Sequence, residues 1–331
     1  MRTIATATLS ALLLTTSFVH ASEQKPVLTV YTYDSFSGEW GPGPKIKQAF
    51  EKQCNCELKW VALEDGVAIL NRIKLESKHP KADIALGMDE AMLTEAHKSQ
   101  LFQPAEVDTK SLSLPGGWTD TTFIPFDYGY FAFVYDSSKL KQAPESLKAL
   151  VDNPDLKIIY EDPRTSTPGQ GLLLWVKSVY GDQAPTAWEK LAKKTVTVTK
   201  GWSEAYGMFL KGQSDLVLSY TTSPAYHRLA EQKTQYKAAM FTEGHLRQVE
   251  VAAELKDAPQ PKLAKQFMQF MLSDEFQQLI PEGNWMYPVT KVQLPAGFNE
   301  NETPIKTLAV SSDWAQQRKD WLKEWLAAVS H

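Results

Sequence analysis

Apolar positions along this chain alternate between two periods, and that alternation predicts a fold before any motif is considered. Val27–Tyr33 is a β-rich run and reads as a strand, followed by a helix over 44–53 whose apolar face holds Ile46, Ala49 and Phe50. Glu57–Leu63 reads as the next strand. Asp65 and Gly66 then open a helix carrying Ile69, Leu70 and Ile73 at helical spacing. Ala82–Gly87 is a short buried strand before a helix over 90–97. This βαβαβ order predicts an α/β fold with a parallel, doubly wound sheet. The middle of the chain repeats the theme, with strands at Phe131–Tyr135, Lys157–Tyr160, Thr195–Thr199 and Asp215–Tyr220 and helices over 171–179 and 204–211. Arg247–Ala253 is long and β-rich and is expected to carry the chain back to the first unit. Pro261–Leu272 is helical, with Leu263, Phe267, Phe270 and Met271 on one side. The last helix, Asp313–Val329, spaces Trp314, Trp321 and Trp325 as a packing stripe, not a ligand wall.

A chain of 331 residues exceeds one typical core, so two lobes are expected. No low-complexity linker or internal repeat separates them. The start of the chain changes the compartment. Arg2 precedes an apolar or small-residue run from Ile4 to Val19 that ends in Val19-His20-Ala21, the pattern of a cleavable export signal. The run is diluted by Thr and Ser and is too short to span a bilayer comfortably, so a soluble exported chain from Ser22 to His331 is expected. Losing Arg2 takes the formal net charge from −4 to −5. A mildly acidic balance without patches argues against nucleic acid and anionic lipid as partners. The only cysteines, Cys54 and Cys56, cannot build a four-ligand zinc site by themselves. A local disulfide closing a small ring is the favoured reading over a metal site or a nucleophile.

Candidate chemistry gathers in three aromatic stretches placed where extended runs break into turn residues: Tyr31–Trp40, Gly201–Tyr206 and Asn284–Pro288. Strand-end loops are where α/β proteins bind ligands, so these stretches predict one aromatic-walled cleft suited to a flat or cationic small molecule. Taken singly, each ring reads as ordinary core. Three strand-to-helix junctions add polar groups. Asp162–Gly171 has hydroxyls, glycines and free helix-start amides that suit an anion, and it reads equally as a capped turn around Ser166. At Gly201-Trp202-Ser203, Ser203 is the expected N-cap and Glu204 sits in the first turn. Asp65 reads either as a plain N-cap or as a carboxylate facing a ligand cation. No Walker motif, Gly-x-Ser-x-Gly elbow, His-Glu-x-x-His or Gly-x-Gly-x-x-Gly is present, and the histidines show no metal spacing.

Several blocks together carry a family resemblance: Leu28–Phe36, Leu63-Glu-Asp-Gly66, Pro125–Asp136, Asp162–Gly169, Lys200–Tyr206, Leu218–Tyr226 and Gly283–Pro288. With these the chain resembles the bacterial periplasmic thiamine-binding proteins over essentially its whole mature length. The resemblance implies a type II periplasmic binding-protein fold: lobe 1 from 22–127 plus 254–331, lobe 2 from 137–241, and crossings at 128–136 and 242–253. It implies periplasmic capture of thiamine, its monophosphate and its diphosphate, and delivery to an inner-membrane ABC permease, with a monomer expected and neither cofactor nor metal. Matched motif by motif, the aromatic contacts fall on Tyr33, Trp40, Tyr226 and Trp285, and the phosphate end on Ser166, Trp202 and Tyr220. Asp65 and Gly66 contribute from the first lobe. Two competing readings are weighed. An iron carrier is expected to show adjacent tyrosines where this chain has Ser219-Tyr220-Thr221, and a thiaminase-like enzyme needs a cysteine nucleophile at the cleft. Binding without turnover is the preferred reading.

Overall fold

Strand β1 (Val27–Tyr33) ends in a single helical turn, α1 (Asp34–Ser37), and the chain continues through α2 (Gly43–Cys54), β2 (Glu57–Leu63), α3 (Gly66–Leu75), β3 (Ile84–Asp89) and α4 (Leu93–Ser99). The computed structural model describes residues 25–299, 305–309 and 314–330, so the expected export signal lies outside them. β1 is flanked by β2 and β3, both parallel to it, and its residues are almost all buried, as a doubly wound sheet requires.

The next strand belongs to both halves of the molecule. β4 (Ile124–Asp136) pairs antiparallel with β9 (Arg247–Glu254) through residues 124–130 and with β7 (Leu216–Tyr220) through Phe131–Tyr135. Only the second of these segments is legible as a strand, because Pro125, Asp127 and Gly129 interrupt the first with residues that strands disfavour. Between β4 and β9 the chain builds α5 (Leu147–Asp152), β5 (Ile158–Glu161), α6 (Thr167–Tyr180), α7 (Ala184–Lys194), β6 (Thr195–Thr199), α8 (Trp202–Leu210), β7, α9 (Ser223–Ala230) and β8 (Tyr236–Ala239). After β9 come α10 (Pro261–Met271), the short α11 (Asp274–Gln277) and α12 (Ile280–Gly283), β10 (Tyr287–Pro288) and α13 (Trp314–Val329). The strand order is β2-β1-β3-β9-β4-β7-β5-β6, with β8 and β10 attached to β4.

Two large apolar cores flank this shared strand. One is built on β1, β3 and α10 with Phe36, Phe126 and Phe267; the other surrounds α6 and α7 with Trp175, Trp188 and Tyr160. The carboxy-terminal helix corrects the expectation that residues 254–331 join the first lobe. Trp314, Trp321 and Trp325 of α13 are buried in the second core, Trp325 Nε1 donates to Tyr160 Oη at 3.0 Å, and Lys177 pairs with Glu324 at 3.3 Å. The tryptophan stripe announces a packed face, but not which lobe receives it.

Two helix starts also differ from expectation. α6 begins at Thr167, four residues ahead of the expected 171, because Ser166 caps it and Pro168 is tolerated in a first turn that has no N–H to lose. α8 begins at Trp202 with Gly201 as N-cap, so Ser203 lies inside the helix. Its hydroxyl instead donates to Asp34 Oδ1 at 2.7 Å across the gap between lobes. Among the described residues no helix is long and apolar enough to cross a membrane.

Candidate functional site

A cavity of about 250 Å³ opens between the two cores. Tyr33, Trp40, Asp65, Trp202, Tyr220, Tyr226 and Trp285 all line it, although they come from the ends of β1, β2 and β7, the turn between α1 and α2, the starts of α8 and α9, and the turn after α12. Gly66 and Ser166 do not line it; they lie directly behind Asp65. A side chain at Gly66 would meet the Gly87 carbonyl at 2.2 Å and Thr167 Cγ2 at 2.6 Å, so Gly66 permits close packing beneath the cavity.

The walls are mostly rings. Trp202 stacks on Tyr206 with centroids 4.8 Å apart, and Trp40, more than half exposed at the mouth, meets Trp202 at 6.2 Å. Tyr226 and Trp285 meet edge to face at 5.4 Å. Trp202 is fixed by Nε1 donating to Ser219 Oγ at 2.8 Å, and Ser219 is in turn bonded to Ser223 at 2.7 Å. Tyr220 stacks on Phe131 at 5.3 Å and donates to Gln248 Oε1 at 2.6 Å. Trp285 sits at φ +56°, a left-handed conformation that a bulky residue rarely adopts and that the surrounding contacts must hold.

Acidic groups line the floor. Asp65 accepts from Gly66 N at 2.7 Å, from Ser166 Oγ at 2.8 Å and from Thr167 Oγ1 at 3.1 Å. The anion at the start of α6 is therefore the protein's own Asp65, reaching from the other lobe, and the two readings of Asp65 and of Ser166 merge in one clasp. Burial pushes the Asp65 carboxyl up to about 6, against these hydrogen bonds. Further in, Asp127 and Glu250 face each other across the β4–β9 ladder. Tyr33 donates to Glu250 Oε2 at 2.8 Å, while Asn284 Nδ2 donates to Tyr33 Oη at 2.8 Å and to Asp127 Oδ2 at 2.6 Å. Burial drives Glu250 well above the ordinary carboxyl range, the Asp127 charge reinforces it, and burial takes Asp127 up to about 7. Two buried carboxyls facing each other disfavour a second negative charge, and Glu250 is the one held protonated. Burial also keeps Tyr220 protonated, with the Glu250, Asp65, Glu161 and Asp127 charges adding to the effect.

Sequence reasoning missed Glu250 and Ser223 as wall residues; Tyr206, Asn284 and Met286 fall within the predicted aromatic stretches but were not singled out. The available signal was polarity in the wrong place: Asp127 lies between Phe126 and Tyr128, and Glu250 between Val249 and Val251. Both cysteines of the chain are joined in one disulfide, Cys54–Cys56, away from the cavity. Among the described residues no group of His, Cys, Asp and Glu is arranged to hold a metal ion.

Comparison with known proteins places this architecture. The family model of bacterial extracellular solute-binding proteins matches residues 42–278. The chain belongs to that family. A curated relative of this solute-binding protein, the thiamine-binding periplasmic protein of Escherichia coli (strain K12), is 61% identical over 324 residues, covering 97% of this chain and 98% of the relative. The thiamine-binding periplasmic protein of Brucella suis biovar 1 is 53% identical over 314 residues, 94% of each chain. A solved structure titled periplasmic thiamin binding protein superposes with a TM-score of 0.91 at 62% identity, covering 94% of this chain and 98% of that one. The fold is the type II periplasmic binding-protein fold, and the solute-binding protein presents its cleft where that fold joins its two lobes.

Proposed function

We propose that this solute-binding protein captures thiamine in the periplasm and presents it to an inner-membrane ABC permease, without chemical turnover. The observation that carries the reading is the cavity: aromatic walls over a floor of buried carboxylates. Thiamine is a flat pyrimidine joined to a permanently cationic thiazolium. Ring faces from Trp202, Tyr226 and Trp285 suit both halves, cation–π attraction adds about 0.5–2 kcal/mol, and Asp65 offers negative charge. The full-length likeness to thiamine-binding periplasmic proteins supports the same ligand and the same compartment.

Thiamine monophosphate and diphosphate are proposed as further cargo. Their anionic end would approach the Ser166, Trp202 and Tyr220 side, where Asp65 already occupies the start of α6. An acid raised to about 6 takes up a proton readily when an anion arrives, and becomes a donor to it. Lobe closure is the proposed signal to the permease, since a ligand that prefers the closed state shifts the population toward it. The cross-lobe bonds Ala68 N to Thr165 O at 3.0 Å and Ser203 to Asp34 at 2.7 Å are the contacts that closure would make. An enzyme using a cysteine nucleophile is disfavoured by the Cys54–Cys56 bond.

The test is titration of protein unfolded and refolded to strip ligand, read by tryptophan fluorescence because Trp40, Trp202 and Trp285 line the cavity. Saturable one-to-one quenching with thiamine recovered unchanged is the expected result. No response to thiamine or either phosphate would overturn the ligand assignment.

A further inference from the structure

The aromatic wall has two arms, and they join at a residue outside the cavity. Trp202 stacks on Tyr206, and Tyr206 stacks on His227 with centroids 5.8 Å apart and planes 17° apart. On the other side His227 meets Tyr226 edge-on at 4.9 Å, and Tyr226 meets Trp285. A histidine at this junction is not needed for packing, since an apolar ring would fill the space without two buried polar atoms to satisfy.

Those atoms are both satisfied, in one direction only. The His227 side chain is wholly buried, with Nδ1 at 2.6 Å from Glu231 Oε2 and Nε2 at 2.9 Å from Tyr206 Oη. Burial works to raise the Glu231 carboxyl, but bonds from His227 and Lys233 outweigh it and hold the group below its usual range. Glu231 is therefore an acceptor only, so Nδ1 carries the proton and Nε2 presents a lone pair to the Tyr206 hydroxyl. The other groups facing the imidazole are Tyr236 from β8, with centroids 3.9 Å apart, and Lys233, whose amide donates to the His227 carbonyl at 2.8 Å. Burial lowers His227 below its ordinary value, which keeps the ring neutral.

We propose that His227 is a positioning residue for ligand capture: anchored by Glu231, it fixes the rotation of Tyr206 and so the faces that Trp202 and Tyr226 turn toward the ligand. Attraction between a cation and a ring depends on the cation lying over the ring face, so tilt in the wall translates into affinity. The inference rests on the thiamine reading above.

The experiment is a thiamine titration of the full chain and of Tyr206→Phe, His227→Phe, the double variant and His227→Gln. Tyr206→Phe and His227→Phe each weaken binding by about 5- to 100-fold, the span set by losing one partner of a buried hydrogen bond. The double variant is weaker than either single by no more than about threefold, because both cut the same link. His227→Gln, whose amide oxygen can accept the Tyr206 proton, binds more tightly than His227→Phe. A residue acting only through its volume would reverse that order, since phenylalanine is the closer shape. The proposal is overturned if the single losses add, if Phe outperforms Gln, or if Tyr206→Phe binds like the wild type. That last arm keeps its ring and its stacking, so it decides the matter even where a His227 variant fails to fold. Wild-type protein that ignores thiamine would instead overturn the ligand reading, and the inference with it.

Discussion

Gly201→Ala should separate lobe closure from folding. Gly201 caps α8 with an extended backbone, φ −152° and ψ 172°, which alanine adopts without strain. The obstacle is a contact: an added Cβ would lie 2.3 Å from the Glu64 carbonyl oxygen and 3.1 Å from its carbon. Glu64 follows β2 in one lobe and Gly201 follows β6 in the other. Ordinary van der Waals contact begins at 3.4 Å, so the lobes must retreat by about 1 Å locally. The bonds from Asp65 to Ser166, at 2.8 Å, and from Ala68 to Thr165, at 3.0 Å, cannot follow that retreat intact. Overpacking of this kind costs about 1–3 kcal/mol. The cost falls on the closed state alone, so the thiamine dissociation constant should rise by about 5- to 150-fold. Urea unfolding of the ligand-free variant should stay within about 0.5 kcal/mol of the wild type, as for a surface substitution. Fluorescence titration and urea melts on the same samples read both quantities. A folded variant with unchanged affinity would refute the argument, because the lobes would then not come this close around the ligand.

Other consequences are equally direct. Trp285→Ala and Tyr226→Ala each remove a wall ring, and calorimetry should show thiamine binding weakened at least about tenfold, more than a single cation–π contact accounts for because buried ring area is lost too. Trp285→Gly should lose the same affinity while matching or exceeding wild-type stability, since glycine occupies φ +56° freely; a drop in its melting temperature would contradict this. The acids of the floor set a pH dependence. Asp65 near 6, Asp127 near 7 and Glu250, raised well above its ordinary value by burial, all lie above their unfolded values, so their contribution to ligand-free stability is fully present below the ordinary carboxyl range and is lost as pH rises through 6–7. A bound cation favours the charged forms, so binding should release protons and tighten between pH 5.5 and 8, by up to about tenfold per pH unit for each proton released. Titration calorimetry in buffers of different ionisation enthalpy measures that release, and proton uptake would be the wrong sign. Reducing the Cys54–Cys56 bond should cost no more than about 2 kcal/mol, since the ring it closes is so short, and should leave thiamine affinity unchanged.

Much of the fold was legible because it rests on local periodicity. The Val27–Tyr33 strand and the Pro261 helix are visible in any window that spans them, and burial in the structure follows the predicted faces. Where prediction slipped, a local preference was overruled from a distance. Gly169 and Gly171 suggest a late helix start, yet both are held inside α6 by close packing: a Cβ on Gly171 would sit 2.2 Å from the Phe131 ring, and one on Gly169 2.4 Å from the Glu161 carbonyl. Ser203 has the composition of an N-cap but is drawn to Asp34, 169 residues away. The tryptophans of α13 advertise a buried face without naming its partner, since nothing in a stripe specifies which core it completes.

The site divides along the same line. Its rings were legible because aromatic residues beside turn formers at strand ends are a local pattern. Its inner acids were not, because Asp127 and Glu250 become a site only when β4 and β9 meet and the turn after α12 brings Asn284 to them. What the chain does display is a contradiction: a carboxyl at a central position of a buried strand, where it destabilises the fold unless something compensates. Asn284 and Tyr33 compensate in part, by hydrogen bonding, but they bring no positive charge. On the proposed thiamine reading, a cation entering the cavity would meet the remaining deficit, and the residues that burden the empty protein would be the ones that hold the ligand.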